Sequence, residues 1–170
     1  MSSIVRPTRA RQPIPRRLHI LLRDGTAVDC VVKVGSDQSL VAFLNSRSGW
    51  MTVTQARRAN IDEPEGFMIV QTEQVVMASA PDGKVQVASG TAGMDDRLVE
   101  FVLIGGRSVR GYVPVAPGQR LTDCVAVSGR FISVSLARLF PEGTDVGDVA
   151  VHTGAIAIVR DLRGAAPEPE

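Results

Sequence analysis

The chain has 170 residues, of which 44% are apolar, 22% charged and 4% aromatic, and its formal net charge is +1. These values are typical of a soluble globular protein with one domain or two small ones. They exclude a strong overall field that would attract nucleic acid or membranes, and they leave few rings to stack on bases. Because no apolar run approaches the ~20 residues that a spanning helix needs, we expect no transmembrane segment.

The N-terminal segment, residues 1–16, carries four arginines, three prolines and no acidic residue. Proline disfavours helix, so we predict a flexible, extended basic arm. No apolar stretch follows the arginines as it would in a secretory signal. We expect the arm to become ordered only against an acidic surface. Three surfaces qualify: a protein partner, nucleic-acid phosphates and anionic lipid headgroups. Its candidate partner contacts, extended by one residue into the next segment, are Arg6, Arg9, Arg11, Arg16 and Arg17.

The segment after the arm predicts a β-hairpin. The apolar residues Leu18, Ile20 and Leu22 alternate with His19, Leu21 and Arg23, which fits a strand. Asp24-Gly25 is a tight-turn signal, because glycine supplies the positive φ that such turns require. Apolar residues recur from Val28 to Val34, so a returning strand is predicted, with Cys30 buried and unreactive on its apolar face.

Three more elements complete the first half. The stretch "SLVAFLNS" at 39–46 predicts one or two helical turns with Ser39 as the N-cap. "GWMTVT" predicts a short strand in which Trp50 anchors the core. "FMIVQTEQVVMA" predicts two further strands joined as a hairpin.

The second half of the chain repeats this order. "VLIGGRSVRGYV" predicts a hairpin with its turn at Gly105-Gly106, and "RLTDCVAV" has a weaker helical pattern than its counterpart. "RFISVS" predicts a strand with Phe131 in the core, and "DVAVHTGAIAIV" predicts a hairpin with a turn at Thr153-Gly154.

The two halves align as a repeat. Residues 18–78 fall onto residues 99–159 at a constant offset of 81 without a gap, and thirteen of the 61 positions are identical. Two unrelated β-rich segments would need gaps to stay in step over this length, so we infer an internal duplication. In first-half numbering the identical residues are Leu22, Gly25, Val28, Val32, Val34, Gln38, Leu40, Val53, Ala56, Arg57, Gly66, Val70 and Thr72.

Composition changes outside the two copies and places the domain boundaries. Residues 81–96 read as a glycine-rich linker with an extra strand at Lys84–Ala88. The acidic tail, residues 164–170, is predicted to be disordered. The two repeat domains are therefore predicted at 17–80 and 97–163.

Both opening hairpins follow one motif, apolar-x-apolar-x-Leu-x-Asp-Gly-x-x-apolar-x-Gly. The first copy matches it from Leu18 to Val28 but has Cys30 at the last glycine, and the second matches from Val99 to Gly111 but has Gly105 at the aspartate. The motif is similar to the first motif of Sm-like small β-barrels, and the resemblance implies a barrel of Sm-like or SH3-like type. The family's second motif is only echoed in "VHTGAIAIV", where Thr153 stands at the position of the RNA-contacting arginine. We therefore take the barrel from the resemblance and not RNA binding.

No constellation of catalytic, cofactor-binding or metal-binding residues is evident. The serines lack a nucleophile elbow or a matched triad, and "GTAGMDD" lacks the lysine of a phosphate loop. His19 and His152 sit at non-equivalent positions, and a metal site needs three or four converging ligands, so we predict strand residues at a surface or interface. Cys30 and Cys124 are the only cysteines, which favours a reduced, cytoplasmic protein. We expect a protein that is not an enzyme and needs no cofactor.

Arg57 and Arg138 are the one charged pair kept at equivalent positions in the two copies. Two roles stay open for them. The planar guanidinium suits bidentate contacts to an anion or a partner carboxylate, and it equally suits hydrogen bonds to backbone carbonyls at a strand end.

Together these features predict an all-β protein in which two tandem homologous small barrels, each with one short helix, pack as a pseudo-dimer with an inherited two-fold contact. The predicted function is a non-catalytic adaptor or accessory subunit of a larger complex, because short edge strands capture partner peptides. One alternative is an Sm-like nucleic-acid binder that uses the basic arm. Another is a small-ligand sensor with an apolar pocket at the seam between the barrels.

Overall fold

The protein is all-β. The structure, a computed structural model, describes residues 12–62, 66–88 and 90–162. Ten antiparallel strands form one continuous sheet, joined by two short helices and two 3₁₀ turns. Within the described residues, no helix has the length and apolar character needed to cross a bilayer.

The elements of the first half, in chain order, are as follows: β1 (Ile14–Leu22), β2 (Ala27–Val34), α1 (Leu40–Asn45), β3 (Trp50–Arg58), β4 (Gly66–Gln71), a 3₁₀ turn (Thr72–Gln74) and β5 (Val75–Ser79). The second half contains β6 (Asp95–Leu103), β7 (Ser108–Val115), α2 (Leu121–Val127), β8 (Phe131–Phe140), β9 (Thr144–His152), a 3₁₀ turn (Thr153–Ala155) and β10 (Ile156–Asp161). The first strand begins inside the segment predicted to be the arm, and the sixth begins inside the predicted linker.

The two halves of the sheet have the same strand order. The full order is β10-β6-β7-β8-β9-β5-β1-β2-β3-β4. Strands β1 and β6, β2 and β7, β3 and β8, and β5 and β10 each begin 81 residues apart, as do the helices and the 3₁₀ turns. The offset of the sequence alignment therefore pairs residues that occupy the same structural positions.

Local irregularities recur at the same offset. Strands β3 and β4 slip register between Val53 and Ala56, and β8 and β9 slip between Val134 and Ala137. The residue at the bulge, Gln55 or Leu136, has a positive φ of 49° or 50°. Such a conformation is uncommon for a residue with a side chain, so the two bulges are alike in detail.

Both predicted opening hairpins are confirmed. β1 pairs with β2 and β6 pairs with β7 over eight registered positions each. The turn glycines have the positive φ that the tight turn requires, 86° at Gly25 and 98° and 88° at Gly105 and Gly106. The strand predictions for "GWMTVT" and "RFISVS" are also confirmed, as β3 and β8.

The first helix is confirmed with its predicted cap. The Ser39 Oγ accepts a hydrogen bond from the Ala42 backbone N–H at 3.2 Å. The strand predicted at Lys84–Ala88 is wrong, because the backbone of this segment serves the helix end instead of a sheet. The carbonyls of Gln86 and Val87 accept the N–H groups of the first two helical residues, which would otherwise lack partners.

The hairpins predicted for "FMIVQTEQVVMA" and "DVAVHTGAIAIV" are also wrong. β4 pairs with β3 and lies at one end of the sheet, whereas β5 lies between β1 and β9. Likewise β9 pairs with β8 and β5, and β10 pairs with β6. In each half the 3₁₀ turn, which includes the predicted Thr153-Gly154 turn, redirects the chain to the far side of its own half.

The core consists of two hydrophobic clusters, one for each half, that exchange residues where the halves meet. Phe131 and Ala150 of the second half pack in the first cluster, and Leu21, Val76 and Met77 of the first half pack in the second. The two halves therefore share their apolar interior.

The predicted two-fold pseudo-dimer is not confirmed by the strand pairing. A two-fold contact would pair equivalent strands, β5 with β10 or β4 with β9. The halves are instead joined through β5 and β9, which are not equivalent. The sheet therefore continues head to tail from one half into the other.

Candidate interaction edges and the seam between the halves

The β5–β9 seam shows how one half of this chain recognises the other. Its antiparallel register pairs Ala78 with Ala150, flanked by the pair Met77 and Val151. Every residue of β5 is buried. The side chain of Phe131, next to the seam on β8, is buried and lies edge-on to His152 with ring centroids 4.8 Å apart.

Polar contacts tie α1 of the first half to β8 of the second. The Asn45 side-chain amide accepts the Phe131 N–H at 2.9 Å and donates to the carbonyls of Phe131 and Ser128 at 3.2 and 3.4 Å. Arg130 donates to the backbone carbonyls of Asn45 and Arg47. The helix end is thus held by the neighbouring half.

A second polar group closes the seam beside the first 3₁₀ turn. Arg23 donates from Nε to the Glu73 carbonyl at 2.7 Å and from Nη2 to the Gly154 carbonyl at 3.1 Å. Arg130 lies 3.4 Å from the Glu73 carboxylate. Arginine suits this place because its fork of donors reaches several acceptors at once.

His152 is buried within this group. Its Nδ1 accepts the Gly154 backbone N–H at 3.0 Å, so in the neutral ring the proton is on Nε2. Nε2 lies 3.2 Å from a Glu73 carboxylate oxygen without the alignment of a hydrogen bond. Burial lowers the pKa of His152, and the charges of Arg23 and Arg130 act in the same direction against the opposing pull of Glu73. The prediction of an interface position for His152 is confirmed, whereas half-exposed His19 pairs with Asp29 on the surface.

The polar seam is not repeated at the two ends of the sheet. Each charged or hydrogen-bonding side chain of the seam aligns with a small, apolar or neutral residue in the other half. The counterparts of Arg23, Asn45, Glu73, Arg130 and His152 are Ile104, Ala126, Gly154, Gly49 and Gln71.

At the β4 end of the sheet, large apolar side chains are exposed. Trp50, the counterpart of buried Phe131, is 63% exposed, and Ile69, the counterpart of buried Ala150, is 53% exposed. Ile69 lies opposite Thr52, two residues from Trp50, so both side chains are on one face. Phe67, on the same strand as Ile69, adds a third large exposed apolar side chain. The prediction that Trp50 anchors a core is wrong, because no neighbouring half covers this position.

The β10 end of the sheet shows the same contrast. Ile158 is 54% exposed, whereas its counterpart Met77 is buried in the seam. Ile104, the counterpart of Arg23, is exposed next to the second 3₁₀ turn. Sequence reasoning singled out neither edge, because an aligned pair of apolar residues gives no sign that one is covered and the other is not.

A cavity of about 410 Å³ lies at the seam between α1 and α2. Its lining is mainly apolar, with Val41, Cys124, Val127 and Phe131 among the contributors and the Asn45 side chain at one side. This volume is in the range of small-molecule sites.

Of the seven predicted partner-binding arginines the structure describes four, and these four do not form one site. Arg6, Arg9 and Arg11 lie outside the described residues. Arg16 and Arg17 lie on β1, opposite Val32 and Val31, and so belong to the sheet.

The two arginines at equivalent positions of the two halves are also separated. Arg57 is on β3 and Arg138 is on β8, with four strands between them in the sheet. Arg17 and Arg57 do line one surface cavity of about 390 Å³, together with Asp29. Arg138 pairs with Asp145 at 2.8 Å on the surface, and this contact raises the pKa of Arg138. Arg138 therefore binds a carboxylate of its own half, which is neither a partner carboxylate nor a backbone carbonyl at a strand end.

The second half contains a buried carboxylate that the sequence did not reveal. Glu100 accepts hydrogen bonds from Ser108, Arg110 and Arg160 at 3.1, 3.0 and 2.6 Å. Burial acts to raise the pKa of Glu100, but the bonds from Arg110 and Ser108 and the charges of both arginines outweigh it and hold the pKa below its usual range. Glu100 is on β6, Ser108 and Arg110 are on β7 and Arg160 is on β10, so the cluster holds these three strands together.

The cysteines and histidines give no sign of chemistry. Cys30 and Cys124 are buried and unbridged. Burial raises the pKa of the Cys30 thiol to about 12, with a further contribution from Asp29. Among the described residues no three His, Cys, Asp or Glu side chains are grouped as a metal site.

Comparison with known protein families, curated proteins and solved structures finds no match to this chain.

Proposed function

We propose that this protein is a non-catalytic adaptor or accessory subunit that binds protein partners along its β4 edge, with which only β3 pairs among the described residues. In this proposal the chain is a duplicated pair of small, rolled β-halves of Sm-like type. The observation that carries the proposal is the exposed group of Trp50, Phe67 and Ile69 at an edge whose counterpart in the other half is covered.

An edge of this kind is suited to strand addition. An edge strand presents unpaired N–H and C=O groups, and proteins that avoid association protect such edges with charged residues or proline. β4 has the sequence "GFMIVQ" and contains neither. An added strand would gain main-chain hydrogen bonds and place alternate side chains against the exposed rings.

Affinity capture of the tagged full-length chain from its native cells tests this proposal. The edge variant is Ile69→Lys, and the matched control is Leu136→Lys, which puts the same charge on an equally large apolar residue that is 74% exposed on β8, away from both edges. We expect a protein partner to be captured by the wild type and by the control but not by the edge variant. Recovery of RNA without a protein partner would overturn the proposal in favour of the nucleic-acid binder.

The seam cavity supports a second candidate function, a sensor of small apolar ligands. Its walls come from both halves, so a bound molecule would couple them. Native mass spectrometry of the freshly purified chain tests this: a bound small molecule that is lost on filling the cavity with Val41→Phe supports the sensor. An unloaded chain whose melting temperature no apolar compound raises would contradict it.

A further inference from the structure

We propose that the partner at the β4 edge is the β10 edge of a second copy of this chain, paired as β9 pairs with β5 inside the chain. This inference rests on the proposed function, because it names the partner of the same edge. It predicts a head-to-tail homo-oligomer.

The internal seam is the template for the contact. β10 is the counterpart of β5, and β4 aligns with β9, so the two free edges are the two sides of a contact that the chain already makes once. A contact between two non-equivalent surfaces leaves one of each free after every addition. Successive copies would therefore close a ring or extend a filament.

The register of the new contact follows from the template. Ala78 opposes Ala150 in the seam. The residue 81 positions after Ala78 is Val159, and the residue 81 positions before Ala150 is Ile69. The template therefore places Val159 of one copy opposite Ile69 of the next. The same shift places Ile158 opposite Val70.

The exposed side chains fit the places that the template provides. Phe131 and Ala150 enter the hydrophobic cluster of the half across the seam. Trp50 and Ile69 would enter the second cluster of the neighbouring copy in the same way. Val159, which packs partly buried against the second cluster, would lie opposite Ile69 there.

The contact would also bury no unpaired charge. Gly154, Gly49 and Gln71 replace the charged and histidine side chains of the internal seam. On β10, the Arg160 guanidinium is already held by Glu100 at 2.6 Å. A contact driven by apolar burial is only weakly screened by salt, so we expect association to persist at high ionic strength.

Sedimentation velocity of the full-length chain over a wide concentration range tests the inference. We expect the wild type and Leu136→Lys to associate with rising concentration. Ile69→Lys and Ile158→Lys should each weaken association by at least ~100-fold, because an unpaired lysine would be buried in the contact.

Mixing the two edge variants identifies the geometry. Ile69→Lys keeps a sound β10 edge and Ile158→Lys keeps a sound β4 edge, so the mixture should form a 1:1 dimer and nothing larger. A two-fold contact of β4 with β4 or of β10 with β10 would instead let one variant dimerise alone, and that result would overturn the inference.

A disulfide measurement covers the case in which a lysine variant fails to fold. Ile69→Cys with Val159→Cys should cross-link neighbouring copies on mild oxidation, since directly opposed residues lie within disulfide reach. Phe67→Cys with Val159→Cys is the out-of-register control and should not cross-link. A wild type that is monomeric at every concentration overturns the inference, and if Ile69→Lys still abolishes capture of another protein, the proposed function stands without it.

Discussion

At the scale of single residues, Gly111 explains why one opening hairpin ends in glycine. A Cβ at this position would lie 2.6 Å from Val134 Cγ1 and 2.7 Å from the Ser135 carbonyl oxygen. The other half accommodates the buried side chain of Cys30 at the same position. The motif therefore marks a close approach of β7 and β8, which differs between the halves.

Gly111→Ala should lower the free energy of unfolding by about 1–3 kcal/mol, because the added methyl overpacks against backbone as well as a side chain. Gly35→Ala is the matched control: its φ is ordinary and its nearest neighbours are Gln38 side-chain atoms at 3.4 Å. Urea unfolding of the two variants measures the difference. Equal losses at both glycines would contradict this account.

The Cys30 thiol should be unreactive in the folded protein. With a pKa of about 12 and a buried side chain, it offers almost no accessible thiolate at pH 8. Mass spectrometry after brief alkylation should find Cys30 unmodified in the native chain and fully modified in urea. If Cys30 were alkylated in the native chain as fast as in urea, the prediction would be wrong and β2 would open freely.

At the scale of elements, local signals predicted what forms but not what it pairs with. Alternation, turn glycines and the Ser39 cap correctly indicated the opening hairpins and the first helix. The segments on either side of each 3₁₀ turn read as hairpins because two apolar runs flank a short polar stretch. Their partners are instead chosen by the rolled sheet, through contacts far away in sequence, which no local pattern records.

The buried imidazole at the end of β9 makes the seam sensitive to pH. The pKa of His152 is lowered from 6.5 in the folded chain. Between the folded value and 6.5 the unfolded chain binds more protons, so the free energy of unfolding falls as the pH falls through this window. Above 6.5 this cost is absent, and below the folded value it is fully present.

His152→Gln should remove this step, and it introduces the residue that its counterpart Gln71 already has. We expect the melting temperature of the wild type to drop more steeply than that of the variant on acidification below pH 6.5. His19→Gln is the control and should keep the wild-type step, because the buried ring remains. If His152→Gln shows the same drop in melting temperature as the wild type, other titrating groups cause the drop.

At the scale of the whole molecule, equivalent positions in the two halves have opposite environments. Trp50 and Phe131 are aligned aromatics, yet the first is exposed and the second is buried. The sequence predicted the all-β class and both residues as core, because hydrophobicity reports preference and not position. Whether a neighbour covers a strand edge depends on the head-to-tail order of the sheet. No local sequence pattern indicates that order.

The shared interior also determines how the molecule unfolds. Since Phe131 and Ala150 belong to the first cluster and Met77 belongs to the second, neither half can open without exposing apolar surface of the other. We therefore expect one cooperative unit spanning both halves. Val99→Ala, at a fully buried position of the second cluster, should cost about 2 kcal/mol.

Native-state hydrogen exchange tests this cooperativity. The loss caused by Val99→Ala should appear in the slowest amides of β1 and β2 as well as in those of β6 and β7, as about thirty-fold faster exchange in each. Independent halves would confine the acceleration to the second hairpin and leave the first unchanged. The seam buries every residue of β5. If the second half opened alone, β5 would be exposed to water. We therefore expect the first half to lose protection together with the second.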